Sequence, residues 1–488
     1  MNRRLAILLT GIGLIAGGCS LAPKYLRPEA PIPAEWPKGE AYQAIPESPI
    51  APDLNRQEFF TDGKLQKVIG IALENNRELR LAAQNVLRAR ALYGVQRAEL
   101  FPAVQASGEG GKQGLSSDLV KPGDTRTREQ YSLDLGVASW EIDFFGRIRS
   151  LKDQALEEYL ATEEARRSAE IALVGEVARV YLTLAADREN LQLARSTLET
   201  QQASYSLVRK QYDAGLANEL DLRRAQIPVE TARGDVALFT QLVAQDQNAL
   251  NLLAGIPVPD ELLPIDLEGV TPPAEISAGL SSEILLQRPD IMAAEHRLKG
   301  AYAFIGAARA AFFPRIALTT AVGTASDDLS GLFGSGTGTW SFTPRVVAPI
   351  FDARVWAALR VSKSDREIVL TQYELAIQNA FREVADSLAL QGTIDQQIAA
   401  QLSLVTATAA TYRLADIRYT DGIDSYLGVL DAQRSHFAAQ QGLVTLRLAK
   451  LANRVRLYAV LGGGVSEKNN EPDVSENSSE TGRKDGQQ

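Results

Sequence analysis

The chain carries one cysteine and two histidines in 488 residues. No disulfide can form within it, and a zinc site built from Cys and His is nearly excluded. Paired histidines at metal spacing, a Gly-x-Ser-x-Gly elbow and a Cys–His pair are all missing, so the usual signatures of hydrolytic and metal catalysis are not there. His296 and His436 are isolated, and the many carboxylates fall on segments that need polar faces anyway. Aromatic residues make up only 7% against 23% charged, which suits helices with one narrow buried seam better than a thick core. Positive charge is also short. The net charge is -9, and residues 1–18 contain Arg3 and Arg4 but no acid, so the remainder stands at -11. Phosphate recognition needs a basic stripe, and nucleic acid is excluded as a partner.

Proline is missing from one long stretch. Arg147 to Tyr212 contains none, and Gly175 is its only glycine. Val177, Leu184, Leu191, Leu198, Tyr205 and Tyr212 recur every seven positions, with a weaker spoke at Leu173, Val180, Ala194 and Val208. This spacing predicts a coiled-coil helix. At ~1.5 Å per residue it would reach roughly 100 Å, a strut across a gap. Prolines gather instead at Pro23, Pro28, Pro31, Pro33, Pro37, Pro46, Pro49 and Pro52, which predicts an extended arm over 19–60 lying on the surface.

The lone cysteine has a telling position. Arg3 and Arg4 precede an apolar run from Leu5 to Ala16, then Gly17, Gly18 and Cys19. The run is too short for a comfortable membrane span and reads as a signal segment, 1–18. Cys19 sits where a bacterial lipoprotein signal places its lipidated residue. Ala16 departs from the usual leucine, and an ordinary secretory signal with an incidental cysteine is the alternative. Ser20 resembles outer-membrane sorting signals. The mimicry of a dinucleotide fingerprint by Gly11-x-Gly13-x-x-Ala16 lacks a preceding strand.

The chain repeats itself. Tyr212-Asp213-Ala214-Gly215 is echoed by Tyr419-Thr420-Asp421-Gly422, and Ala225-Gln226 by Ala432-Gln433, both at an offset of 207. Ile377, Val384, Ile398, Val405, Tyr412 and Tyr419 repeat the heptad line, with Gln391 as its polar interruption. Phe101-Pro102 is echoed by Phe313-Pro314. The predicted organisation is two structural repeats, 61–260 and 281–464, joined by a linker at 261–280 and followed by a disordered polar tail at 465–488. Each repeat runs through a helix (61–99, 281–311), a strand region, a long helix (147–212, 353–420), a short turn, and a return helix (219–254, 424–461). Pro228 should bend the first return helix.

The strand regions alternate. Tyr131, Leu133, Leu135 and Val137 share one face, and Ser132, Asp134, Gly136 and Ala138 the other. Ile316, Leu318, Thr320 and Val322 form another apolar face; Trp340, Phe342 and Val346 mark a fourth strand, and 103–109 a weak first one. Gly110–Arg128 and Gly323–Thr339 read as polar loops. Gly331–Gly338 is not a phosphate loop, because no Gly-Lys-Ser/Thr follows. The alternation suits an outer-membrane barrel wall, and equally a soluble sheet packed on helices. In lipid, four strands cannot close a barrel, since the smallest natural ones use eight. Two chains would give eight strands and three would give twelve.

With these pieces placed, the chain resembles the TolC-like outer membrane factor family, in the lipoprotein branch serving multidrug efflux. The resemblance covers Cys19 to Gly464. It is carried by Gly18-Cys19-Ser20-Leu21-Ala22-Pro23, by Trp140-Glu141-Ile142-Asp143-Phe144-Phe145-Gly146-Arg147, by Pro349-Ile350-Phe351-Asp352, and by Arg418-Tyr419-x-x-Gly422 running on to Val429-Leu430-Asp431-Ala432-Gln433. It implies a mixed α and β fold: a homotrimer with a 12-stranded outer-membrane β-barrel, four strands per chain, continued by a long α-helical barrel. It further implies docking on a periplasmic adaptor and an inner-membrane RND-type pump, contact with outer-membrane lipid, and no cofactor beyond an acyl lipid such as palmitate on Cys19.

By the family's pattern Asp431 would ring the pore, with Leu427 as an apolar constriction; a ring of carboxylates repels itself and attracts cations. A solvated helix face is the plainer role for Asp431. Arg224 is its counterpart in the first repeat, so such a ring would hold three acids. Tyr419 and Asp221 match positions that link neighbouring tip helices, although Tyr419 also fits as a seam residue. Asp424 replaces an arginine used in some relatives' latch. Gly215, Leu216, Gly422 and Ile423 are the expected adaptor contacts, and they also serve simply as turn formers. Solutes would pass unchanged, with no enzymatic step. An exit duct for type I protein secretion keeps the same fold, and a non-channel envelope tether would not need four amphipathic strands.

Overall fold

The computed structural model describes residues 20–42, 54–121, 123, 125–279 and 281–463. The signal segment, Cys19, part of the Pro-rich arm, Gly464 and the tail lie outside the described residues. Helices α1 (Gly63–Asn75) and α2 (Arg77–Ala98) are followed by strands β1 (Val104–Gly114) and β2 (Thr127–Ile142), then by the long α3 (Arg147–Asp213) and its return helix α4 (Glu219–Ala254). The second half runs through α5 (Pro289–Ala310), β3 (Arg315–Ser326), β4 (Gly338–Val347), the long α6 (Ala353–Thr420) and the return α7 (Tyr426–Val460). Among the described residues, no helix is long and apolar enough to cross a membrane.

The chain divides into two compact units that cut across the sequence repeats. The first comprises the described residues of Met1–Ile32 with Arg80–Ser168 and Pro289–Asn379; the second, those of Pro33–Leu79, Ala169–Arg288 and Ala380–Gln488. Both repeats contribute to both units.

The first unit holds a four-stranded antiparallel sheet in the order β1-β2-β3-β4. Its register brings the separate apolar patterns onto one face: Leu135 is opposite Val322, which is opposite Trp340, and Val137 lies across from Thr320 and Phe342. A bulge at Ala138 and Ser139 sets two β2 residues against Thr319 alone, so Trp140 and Ile142 swing onto the same apolar face, opposite Leu318 and Ile316. Ser139 takes φ +54°, and its N–H donates to Thr319 Oγ1 at 3.2 Å. On the opposite face small residues allow the strands to close up: a Cβ on Gly323 would stand 2.2 Å from the Leu133 carbonyl.

Two loop expectations are corrected here. Gly110–Gly114 and Thr127–Arg128 are paired strand, Gly323–Ser326 belongs to β3, and Gly338–Thr339 to β4. Cross-strand backbone bonds carry the ladder through glycines that a side-chain pattern cannot register.

The start of the arm is fastened to α5. Arg27 Nε and Nη2 donate to Glu295 Oε1 and Oε2 at 3.1 and 2.6 Å, and the Tyr25 hydroxyl donates to Oε1 at 3.0 Å. Glu295 is buried at 4% exposure. Burial alone would raise its pKa, but the Arg27 hydrogen bonds, the Lys299 charge and the Tyr25 hydroxyl outweigh it and hold the carboxyl below the usual range. Arg309 donates to the Leu21 carbonyl, and Gly306 admits Ala22: a Cβ there would meet the Ala22 nitrogen at 2.8 Å.

In the second unit the arm is more than a surface strand. Trp36 stacks on Phe381, and Glu35 bridges Ser281. Asn55 and Glu58 form a capping box that starts a helical turn, Arg56–Phe59. Phe59 and Phe60 are fully buried, with Phe59 stacked on Tyr458 at 4.1 Å between centroids. Three apolar rings outweigh the extended bias of the nearby prolines.

The helix expected over 61–99 breaks at Asn76, whose side chain bonds the Leu253 carbonyl and accepts from the Leu79 N–H. The one expected over 281–311 begins as a 3-10 turn, Ser282–Gln287, and becomes α-helical at Pro289. Proline disfavours a helical Arg288 and is itself at home in the first helical position. The helix α4 runs uninterrupted through Pro228. The described residues of the linker, 261–279, bury Leu263, Leu267, Val270 and Ile276.

Candidate functional site

The long helices α3 and α6 end alike. Gly215 and Gly422 adopt φ +73° and +72°. The Leu216 N–H reaches the Gln211 carbonyl at 2.8 Å, and that of Ile423 reaches Arg418 at 2.9 Å. This six-to-one closure needs a left-handed residue, which glycine supplies at least cost. The duplicated motif is therefore a duplicated backbone conformation. Leu216 and Ile423 are left exposed at 82% and 61%.

Behind these turns the heptad tyrosines converge. Val208, Ala225, Tyr426 and Val429 are buried together, with Tyr205, Tyr412, Tyr419 and Leu430 packed against them. The Tyr419 hydroxyl donates to Gln211 Oε1 at 3.4 Å; within one chain its partner is therefore not Asp221. Asp221 is still close enough to act: burial first, and then its charge, raise the Tyr419 phenol. The Asp221 backbone N–H is capped by the Asn218 side chain at 2.9 Å. Asp424 makes an ion pair with Arg418 of its own turn. That ion pair closes locally, within one turn.

The two expected gate residues come together. Leu427 and Asp431 sit one turn apart at the start of α7 and line a groove of about 450 Å³ facing α4, which Gln201, Arg224, Pro228 and Arg434 also line. Asp431 is exposed and paired with Arg434 one turn on at 2.5 Å. Arg224 makes no ion pair within 4.0 Å among the described residues. Two guanidiniums, Arg224 and Arg434, and two carboxylates, Asp431 and Asp235, therefore line this groove, a detail that counting acids in the sequence misses. Arg434 was legible as the i+3 neighbour of Asp431. Gln201 was legible too: it occupies the seam spoke midway between Ala194 and Val208, is 4% exposed, and has an Oε1 with no hydrogen-bond partner among the described residues.

With that geometry in view, likeness to known proteins becomes informative. The family model described as outer membrane efflux protein matches residues 68–256 and 280–463. The chain belongs to the outer membrane efflux protein family. The two matched stretches correspond closely to the two repeats. Among curated relatives of this family, the probable efflux pump outer membrane protein TtgC of Pseudomonas putida is 48% identical over 453 residues, covering 92% of this chain and 93% of the relative. The cation efflux system protein CusC of Escherichia coli O157:H7 is 42% identical, covering 93% and 97%. Among solved structures, the open-state MtrE outer membrane channel of Neisseria gonorrhoeae superposes with a TM-score of 0.81 at 37% identity, covering 91% and 98%. The protein is an outer-membrane efflux channel with the mixed α and β fold of that family.

Proposed function

We propose that three copies of this chain close a single duct through which drugs or other small molecules leave the cell without covalent change. The observation that carries this reading is the sheet. Among the described residues its outer strands β1 and β4 have no strand partner on their far sides, and every residue along both is exposed. Its apolar face leaves Leu135, Val322, Trp340 and Phe342 more than half exposed. In lipid each unpaired backbone group costs several kcal/mol, so the edges require partners. Because the strands alternate in direction, β4 of one copy meets β1 of the next in antiparallel fashion, and three copies give the twelve-stranded wall.

The turns at Gly215, Leu216, Gly422 and Ile423 then receive a periplasmic adaptor that couples the duct to an inner-membrane RND-type pump. Asp431 and Leu427 form the constriction, and Tyr419 and Asp221 join neighbouring chains at the tip. Cys19 carries the lipid anchor. Two relatives bear names that speak of antibiotic and of toluene efflux, which supports a small-molecule cargo.

The test uses a Cys19→Ser background, free of cysteine. Paired cysteines, one on β1 and one on β4 of each chain, should yield disulfide-linked dimers and trimers in whole cells, and the purified protein should conduct in planar bilayers. A detergent-free, soluble monomer without conductance overturns the reading. The same substitution should abolish incorporation of labelled palmitate.

A further inference from the structure

The second spoke of the α3 seam is interrupted at Asp187, seven residues beyond Val180 and seven before Ala194, both of which are buried. Across from it on α4 lies Asp246, whose carboxyl comes within hydrogen-bonding distance of that of Asp187. Asn190, almost one turn along α3, joins them. Its amide hydrogen-bonds Asp187, and the residue is only 9% exposed. Asn190 Oδ1 and Asp246 Oδ2 are both shut off from solvent, and neither has a hydrogen-bond partner among the described residues.

Two buried oxygens beside Asp187 therefore lack a donor, an arrangement that costs free energy unless something positive enters. The charge of Arg179 does act on Asp246, but its guanidinium is bonded through Nε and Nη2 to Glu176. The three carboxylates and one guanidinium leave two negative charges. Burial, and then the charge of Asp187, raise the Asp246 carboxyl, as two carboxylates held side by side do.

Packing does not impose these residues. At the repeat offset of 207 the second half has Ile394, 3% exposed, and Asn453, whose amide donates to the Ser387 carbonyl at 2.9 Å. The same helical pair closes there with one apolar side chain and one satisfied amide.

We propose that Asp187, Asp246 and Asn190 Oδ1 form a site for a hard divalent cation, Ca²⁺ or Mg²⁺, one per chain, binding α3 to α4. Two carboxylates and an amide carbonyl are the donors such ions take, with water completing the shell. The ion removes the carboxylate repulsion and gives the orphaned oxygens a partner.

The test follows thermal unfolding of the purified, detergent-solubilised protein at pH 7.5 after EDTA treatment. CaCl₂ or MgCl₂ is titrated at constant ionic strength, and binding is measured in parallel by calorimetry. The wild type should gain stability saturably with about one ion per chain, and the larger response identifies the ion. Asp246→Asn should start more stable without metal and lose the response. Asn190→Asp adds a charged ligand and should lower the half-saturating concentration about tenfold; if it does not fold, Asp187→Asn serves as a second loss-of-response variant. Two results overturn the proposal. One is a wild type indifferent to both ions yet stabilised as pH falls through about 6, which means a shared proton. The other is an undiminished cation response in Asp246→Asn, which places the ions elsewhere.

Discussion

Replacing Arg27 by alanine should loosen the N-terminal arm, and the size of the effect can be worked out. Arg27 makes two charge-assisted hydrogen bonds to Glu295. Such bonds contribute about 1.5–3 kcal/mol each when well shielded. The Arg27 side chain is 51% exposed, so water recovers much of that, and about 1.5 kcal/mol for the pair is the appropriate figure. Glu295, at 5%, keeps Tyr25 and Lys299 as partners, which also limits the loss. A change of ~1.4 kcal/mol is tenfold in the opening equilibrium. Lys24 is exposed and lies within the clamped segment, whereas the Arg27–Pro28 bond resists trypsin. When opening and reclosing outpace cleavage, the rate tracks the open population. Cleavage after Lys24, followed by mass spectrometry, should then be about tenfold faster in Arg27→Ala. Glu295→Ala should be faster still, because it strands the Tyr25 hydroxyl as well. Since the Glu295 carboxyl is held below its usual value, its contribution is complete at neutral pH and is lost as pH falls through that lowered value, beneath about 4.5. Hydrogen exchange of residues 21–28, corrected for intrinsic rates, reads this directly. Equal cleavage in all three proteins would mean that the arm is held by its backbone contacts at Leu21 and Ala22 and that the clamp is incidental.

Other consequences test the sheet and the gate. Ser139 occupies a left-handed conformation that costs an ordinary residue about 1–2 kcal/mol, whereas glycine loses about 0.5–1 kcal/mol in chain entropy. Ser139→Gly should thus raise stability by roughly 0.5–1 kcal/mol in denaturant titration, and a lower midpoint would show that the bulge depends on the serine side chain. Gly323→Ala puts a methyl into the Leu133 carbonyl and should cost about 3 kcal/mol, seen as fewer assembled oligomers on native gels; normal assembly would contradict the tight β2–β3 approach. Asp431→Ala removes an exposed pair and should leave the thermal midpoint unchanged, but it frees Arg434 beside Arg224. Reversal potentials in bilayers should shift towards anions, and an unshifted value would remove Asp431 from the pore constriction.

Much was legible in the chain itself. Val177, Leu184, Ile377 and Val384 fall at heptad spacing and are fully buried, because the spacing of a long helix dictates which side can leave water. The turn glycines were equally plain, since few residues other than glycine take φ near +70° without strain. Alternation likewise fixed the apolar faces of the strands, up to the point where a bulge reversed their parity. What the tertiary structure decided were relations between segments distant in sequence. Helical spacing did not foretell that Phe59 and Phe60 would leave a proline-rich arm to pack against Tyr458, or that Tyr419 would choose Gln211. Nor did it show that Asp431 would find Arg434 in a groove with Arg224, or that Asp187 would meet Asp246. A side chain's direction follows from local geometry, but its partner is fixed only when another segment arrives, and that depends on packing across hundreds of residues.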